Sequence, residues 1–214
     1  MGKWYERSKH KATRIGAASS NEGKRMIDKA LGFIVAELNA FLGARYPSSE
    51  DHAVLASLTH PDGSAPPHTA NRLVVSLVNL EREASAATNG VSTRAEGGYS
   101  RTSPALHLNL YILVTASFVN NYPGALTFLS AALGFFQAKP NFDAQSSPAF
   151  PREMERLSLE LVSLSIQELN NLWAILGAKY LPSAMYKVRM LTFQQGWIGA
   201  AVPEVGGTDA SVRG

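Results

Sequence analysis

The run from Ser165 to Phe193 constrains the fold more than any other stretch. It spells out a helix with a defined start, a forced stop and a strand. Ser165 and Glu168 have the spacing of a capping box, in which each side chain satisfies a backbone N–H of the first turn. Leu169, Leu172, Trp173 and Leu176 then recur at i, i+3, i+4 and i+7, which gathers them on one helical face. Gly177 can adopt the left-handed conformation that ends a helix, and Pro182 prevents its resumption. After it, Tyr186, Val188 and Met190 alternate with Lys187, Arg189 and Leu191, the period of a strand.

The rest of the chain supplies partners for these elements. Ile27, Leu31, Ile34, Leu38, Phe41 and Leu42 form a helical stripe that Gly43 and Pro47 end. Val54–Leu58 reads as a short strand, and His60–Thr69 as a turn-rich loop around Pro61-Asp62-Gly63. Leu73–Leu80 is expected to be an interior strand, with Leu73, Val75 and Leu77 on one face and Val74, Val78 and Leu80 on the other. Glu81–Pro104 reads as one long polar loop. Leu106–Phe118 is the clearest strand: Leu106 to Phe118 at even spacing make an apolar face. His107, Asn109, Tyr111, Thr115 and Ser117 make a polar one, with Leu113 as its exception.

Pro123 suits the first turn of a second helix behind Asn120 or Asn121, and Lys139-Pro140 stops it. Residues 141–152 read as a connection, and Leu157, Leu159 and Leu161 as a further strand. The expected fold class is α+β, a small α/β layer fold with one mixed β-sheet and about three helices. Its two later strand–helix–strand units would be right-handed crossovers if their strands are parallel neighbours. Ser19 and Glu22 offer a weaker capping box ahead of the first helix. The expected organisation is a basic flexible arm at 1–21, a domain at 22–193 and a flexible tail at 194–214, with Trp197 a possible anchor.

Charge and composition exclude several function classes. The chain has 214 residues, enough for one good core, and no cysteine, so disulfide frameworks and thiolate metal sites are out. Residues 1–25 hold seven basic and two acidic side chains, whereas the whole chain is only +3. The high pI is therefore that of an arm. Trp4 and Tyr5 beside Lys3 and Arg7 could stack on bases, but the rest of the chain is slightly acidic, which disfavours a nucleic-acid binder. No apolar run reaches the length of a membrane span, and the N-terminus lacks the apolar segment of a secretory signal.

Catalytic signatures are absent. There is no P-loop and no G-x-S-x-G elbow. His52, His60 and His68 recur every eight residues with Asp51 and Asp62 nearby and could converge on zinc. A loop does not impose that convergence, and solvated loop residues are the plainer reading. Glu153, Glu155 and Glu160 show no sign of an acid–base pair across a cleft. No cofactor is expected. Ser183 has no histidine near it in sequence. Lys187 and Arg189 share one strand face just after Lys179 and Tyr180. Arg and Tyr are enriched at interfaces, so a solvated face and a subunit contact both remain open here.

A family resemblance adds to this reading. Its residues are Asn170, Asn171, Leu172, Trp173, Leu176, Gly177, Tyr180, Pro182, Ser183, Tyr186, Val188 and Arg189. Two further stretches carry it: MIDKALGFIVAELNAFL at Met26–Leu42, and LNLYILVTASF with ALTFLSAALGFFQAKP between Leu108 and Pro140. Together they resemble the tube-terminator (cap) proteins of extracellular contractile injection systems, of the antifeeding-prophage and virulence-cassette type.

The resemblance implies a phage tail-terminator-like fold and a structural, non-enzymatic protein. It implies a hexameric ring on the end of the inner tube, with tube and sheath proteins as partners. Assembly would be cytoplasmic, followed by incorporation in the particle. Interface candidates are His107, Asn109, Tyr111, Lys179, Tyr180, Lys187 and Arg189, together with the loop after Leu80. The alternatives are a soluble small-ligand carrier or enzyme with a pocket between sheet and helices, and another component of the same particle, such as a baseplate connector.

Overall fold

The computed structural model describes residues 26–83, 92–95, 98–101 and 106–193. Helix α1 is Met26–Arg45, followed by strand β1 at Ala53–Leu55, a 3-10 turn at Pro67–Thr69 and strand β2 at Arg72–Arg82. A hairpin of β3 (Ser92–Ala95) and β4 (Gly98–Arg101) precedes β5 (Leu106–Ser117). Helix α2 (Tyr122–Ala138), β6 (Asn141–Phe142), β7 (Leu157–Val162), helix α3 (Ile166–Leu176) and β8 (Ser183–Phe193) complete the order. The chain falls into two compact units. One comprises Arg25–Glu83 and His107–Thr192 and holds the main sheet, and β3 and β4 belong to the other.

The main sheet has strand order β1-β2-β5-β8-β7-β6. β1 and β2 are parallel, while β2–β5, β7–β8 and β6–β7 are antiparallel. β5 and β8 also run in opposite directions: Ala116 N–H donates to Pro182 O at 2.9 Å, and His107 lies beside Thr192 at the far end. The fold is thus α+β with a mixed sheet and three helices among the described residues, as the periodicities predict. The crossover expectation fails for β7–α3–β8. α3 joins antiparallel neighbours, and β8 inserts between β5 and β7, which makes those two parallel but not adjacent.

Alternation along the strands sends successive side chains to opposite faces. α1 and α2 cover one face, where Leu73, Val75, Leu110, Ile112, Val114, Leu157 and Val188 are buried. Aromatic rings interlock there: Phe33 meets Phe142 and Phe150 edge-on at centroid distances of 5.6 and 5.2 Å, and Phe136 packs on Tyr186 at 4.9 Å. Burial pushes the Tyr186 phenol up to about 12. At the margin of this core, Lys139 Nζ is held by Glu37 at 2.6 Å and Ser147 at 2.7 Å and sits over the Phe142 ring.

α3 covers part of the other face. Trp173 is buried with Leu58, Val74 and Leu113, and Leu169, Leu172, Leu176, Leu181 and Met185 pack around them. Leu113, the apolar exception on the polar face of β5, is therefore the seat of α3. The capping box forms as read. The Ser165 hydroxyl accepts from the Glu168 N–H, and the Glu168 carboxylate accepts from the Ser165 N–H at 2.8 Å. Gly177 closes the helix at φ 62°. Alanine there meets no neighbour, but its Cβ disfavours this backbone, so Gly177→Ala costs about 1 kcal/mol in urea unfolding. Asn121 is the cap of α2, accepting from Gly124 N–H at 2.9 Å.

Several boundaries differ from the periodicity reading. β1 ends at Leu55, and β6 was hidden inside the expected connection 141–152. β2 runs two residues past Leu80 and carries a bulge between Leu77 and Asn79. The bulge inverts the alternation. It sends Asn79 and Glu81 to the α3 side of the sheet and Leu80 to the opposite side, where it is 44 % exposed. β2 is therefore not covered on both faces along its length. The stretch after Leu80 likewise is not one loop, since it contains the end of β2 and the β3–β4 hairpin. The 19–22 capping box, the Trp4–Tyr5 pair, the basic arm and Trp197 lie outside the described residues.

Candidate assembly surface

Beyond α3, the same sheet face carries a polar lattice built from three adjacent strands. β5 contributes His107, Asn109 and Tyr111 at alternate positions, and β8 contributes Lys187 and Arg189. The bulge turns Glu81 onto this face, and Glu83 follows it beyond the end of β2. Tyr111 Oη donates to Glu81 Oε2 at 2.6 Å, and Lys187 Nζ donates to the same oxygen at 3.0 Å while lying over the Tyr111 ring. One strand turn further, Asn109 Nδ2 donates to Glu83 at 2.8 Å and Arg189 donates to it at 3.2 Å. Arg189 also approaches Glu160 of β7 at 3.8 Å. His107 Nδ1 and Thr192 Oγ1 are 3.1 Å apart. Thr192 lies three residues after Arg189 and still reaches this face, so the alternation of β8 slips once near its end.

Through Glu160 the lattice extends from these three strands to β7, and the carboxylates of β2 and β7 flank the cations of β8. Cross-strand ion pairs of this kind fix register and add little stability when exposed. Tyr111 first and Lys187 second hold the Glu81 carboxyl below the usual carboxylate range. Glu81 first and Tyr111 second raise Lys187. The linkage sign follows. The contribution of Glu81 is present above its unfolded value and is lost as pH falls through its lower folded value. That of Lys187 is present below its unfolded value and is lost as pH rises through its higher folded value. Removing the carboxylate with Glu81→Gln lowers the melting temperature at neutral pH. The gap to the parent closes as pH falls below the usual carboxylate range.

Five of the seven interface candidates read from the sequence, His107, Asn109, Tyr111, Lys187 and Arg189, therefore converge on one surface. Lys179 and Tyr180 do not join it. They sit in the α3–β8 connection, where Tyr180 is exposed and its ring meets Trp173 edge-on at 5.5 Å. Glu81 and Glu83, the anionic half of the lattice, fall in the stretch that reads from sequence as a polar loop. Their x-Glu-x-Glu spacing matches that of His107-x-Asn109-x-Tyr111 and Lys187-x-Arg189, and this is the signal that identifies them.

The histidine series does not converge. His52 bonds Tyr46 O at 2.6 Å and stacks near Phe128, so it is a packed residue and not a solvated one, while His60 and His68 are exposed. Among the described residues no group of three His, Asp or Glu side chains is placed to hold a metal ion. No described helix is long and apolar enough to cross a membrane.

The sequence model of the Pvc16 N-terminal domain matches residues 33–205, most of the chain. The chain belongs to the Pvc16 N-terminal domain family. This family match bears out the resemblance to injection-system terminators. No curated protein matches the chain. Among solved structures it is similar to the sheath/tube terminator of the extracellular contractile injection system PVC in its extended state. The identity is 14 % over 84 % of this chain and 63 % of that one, with a TM-score of 0.47. It is also similar to the tube-terminating cap of the anti-feeding prophage, at 15 % identity over 82 % of this chain and 60 % of that one, with a TM-score of 0.44. The Pvc16-family domain thus spans less than two thirds of either protein.

Proposed function

We propose that this Pvc16-family chain is a structural assembly protein of a contractile injection system. In this reading it caps the inner tube, joins it to the last sheath layer and acts as a ring, six-membered like the one the resemblance implies. The observation that carries the reading is the family match over residues 33–205. The geometry is consistent with it. The carboxylates of the lattice are engaged by Tyr111, Asn109, Lys187 and Arg189 and are not aimed across a cleft. A surface carrying both signs of charge suits recognition of a partner with the complementary pattern.

Growth stops because the subunit presents one surface to the tube end and no second tube-like surface for further addition. In this reading the docking domain is residues 22–193. No catalytic step is assigned to it. Assembly takes place in the cytoplasm before the subunit becomes part of the particle. Sedimentation of the purified chain, alone and with tube protein, tests the ring. A closed oligomer supports the reading, and a monomer under both conditions opposes it.

A further inference from the structure

α2 is an uncommon surface helix. Across Tyr122–Ala138 it carries no charged residue, although Leu126, Thr127, Ser130, Gly134 and Gln137 are exposed. Solvated helix faces ordinarily carry charge. Thr127, Ser130, Ala131 and Gly134 form a strip of small side chains two turns long, and Phe41, Arg45 and Tyr46 of the α1 end flank it. The result is an open groove of about 620 Å³. Small residues let a second helix approach closely, at axis separations of about 8–10 Å. Phe41 meets Phe135, and Tyr46 meets Phe128, so α1 and α2 run antiparallel and Arg45 stands toward the Thr127 end of the strip. Arg45 makes no hydrogen bond or ion pair with any described residue.

The complementary ridge is on the other side of the sheet. Glu168, Asn171 and Ile175 lie at i, i+3 and i+7 on the outer side of α3, and all are exposed, Ile175 by 84 %. This ridge and the Thr127–Gly134 strip both span seven residue steps, roughly 10 Å at 1.5 Å per residue. The ridge is acidic at the Glu168 end, and the groove is basic at the Thr127 end.

We propose that α3 of one copy lies in the α1–α2 groove of the next, with Ile175 over Gly134 and Glu168 beside Arg45. The proposal rests on the ring reading above and names the surfaces that make the ring. Groove and ridge lie on opposite faces of one sheet, so the contact is heterologous. Repeated head to tail, it closes where the rotation permits. Lys179 and Tyr180, just past the end of α3, border the contact. The polar lattice is left free for tube or sheath.

The chain has no cysteine, which permits a clean cross-linking test. In the Gly134→Cys/Ile175→Cys variant, mild oxidation of the assembled protein is expected to give a ladder of disulfide-linked oligomers, with neither single variant doing so. A disulfide requires Cα atoms within about 7 Å. Rings that form without a ladder overturn this contact and leave the ring reading standing, whereas a protein that never oligomerises overturns both. A Cβ at Gly134 meets nothing within 4 Å, so the side chain of Gly134→Leu starts into open space and is expected to fill the groove. That variant is expected to melt no lower than the parent, because leucine favours a helix interior more than glycine does, and to associate at least about tenfold more weakly. Undiminished association in it overturns the proposal.

Discussion

Replacing Trp173 by alanine is expected to lower the unfolding free energy by about 3–5 kcal/mol, the range for deleting a large buried aromatic side chain. Trp173 is the central contact between α3 and the sheet, buried with Leu58, Val74 and Leu113 and faced by Tyr180. Without it, α3 is held by the half-buried Leu169, Leu172 and Leu176, and the ridge at Glu168–Ile175 loses its fixed position. The variant is therefore expected to lose both stability, in chemical denaturation, and oligomer formation. Trp173→Phe separates packing from polarity. It keeps most of the apolar area and removes an indole N–H that has no partner among the described residues, so it is expected to cost less than half as much. A loss below about 1 kcal/mol for Trp173→Ala would mean that α3 does not pack as described.

Asn109→Asp is expected to be the second most damaging change. Asn109 is 1 % exposed, and its Nδ2 donates to Glu83. Aspartate replaces that donor with an acceptor and buries a second carboxylate against the first. The expected loss is about 2–4 kcal/mol at neutral pH. It is pH-dependent in a definite sense. Burial beside Glu83 raises the folded pKa of the new carboxyl, so the loss grows as pH rises above the unfolded value and is relieved as pH falls below it. Asn109→Leu removes the donor together with Oδ1, which has no partner among the described residues, and leaves Glu83 paired with Arg189. It is expected to be the milder change. Unfolding curves at several pH values check both, and a pH-independent loss in Asn109→Asp would contradict the lattice.

The legible parts of this fold are those governed by local rules. The Ser165–Glu168 box, the Asn121 cap and the left-handed Gly177 each declare a helix end in a few residues, and the alternation of Leu106–Ser117 declares a strand. What the sequence hides depends on pairing across the sheet. One extra residue near Val78 inverts the facing of everything after it in β2, and only the opposition of Leu77 to Ile112 and of Asn79 to Tyr111 reveals it. That single shift converts Glu81 from an apparent loop residue into the centre of the lattice. β6 is too short to have a period, and its two residues are recognisable only from their pairing with Leu157 and Ser158. His107, Asn109, Tyr111, Lys187 and Arg189 could be assigned to strand faces individually. Their convergence required knowing that β8 lies beside β5, a neighbour 66 residues later in the chain that no local pattern announces.

Imaging of injection particles assembled with and without this subunit tests the central claim most directly. A protein that acts by docking on the tube end should leave, in its absence, tubes of irregular length with open ends and sheaths not joined to a terminal layer. Restoring the chain should return uniform, closed particles. Particles of unchanged length and termination in its absence would contradict the account.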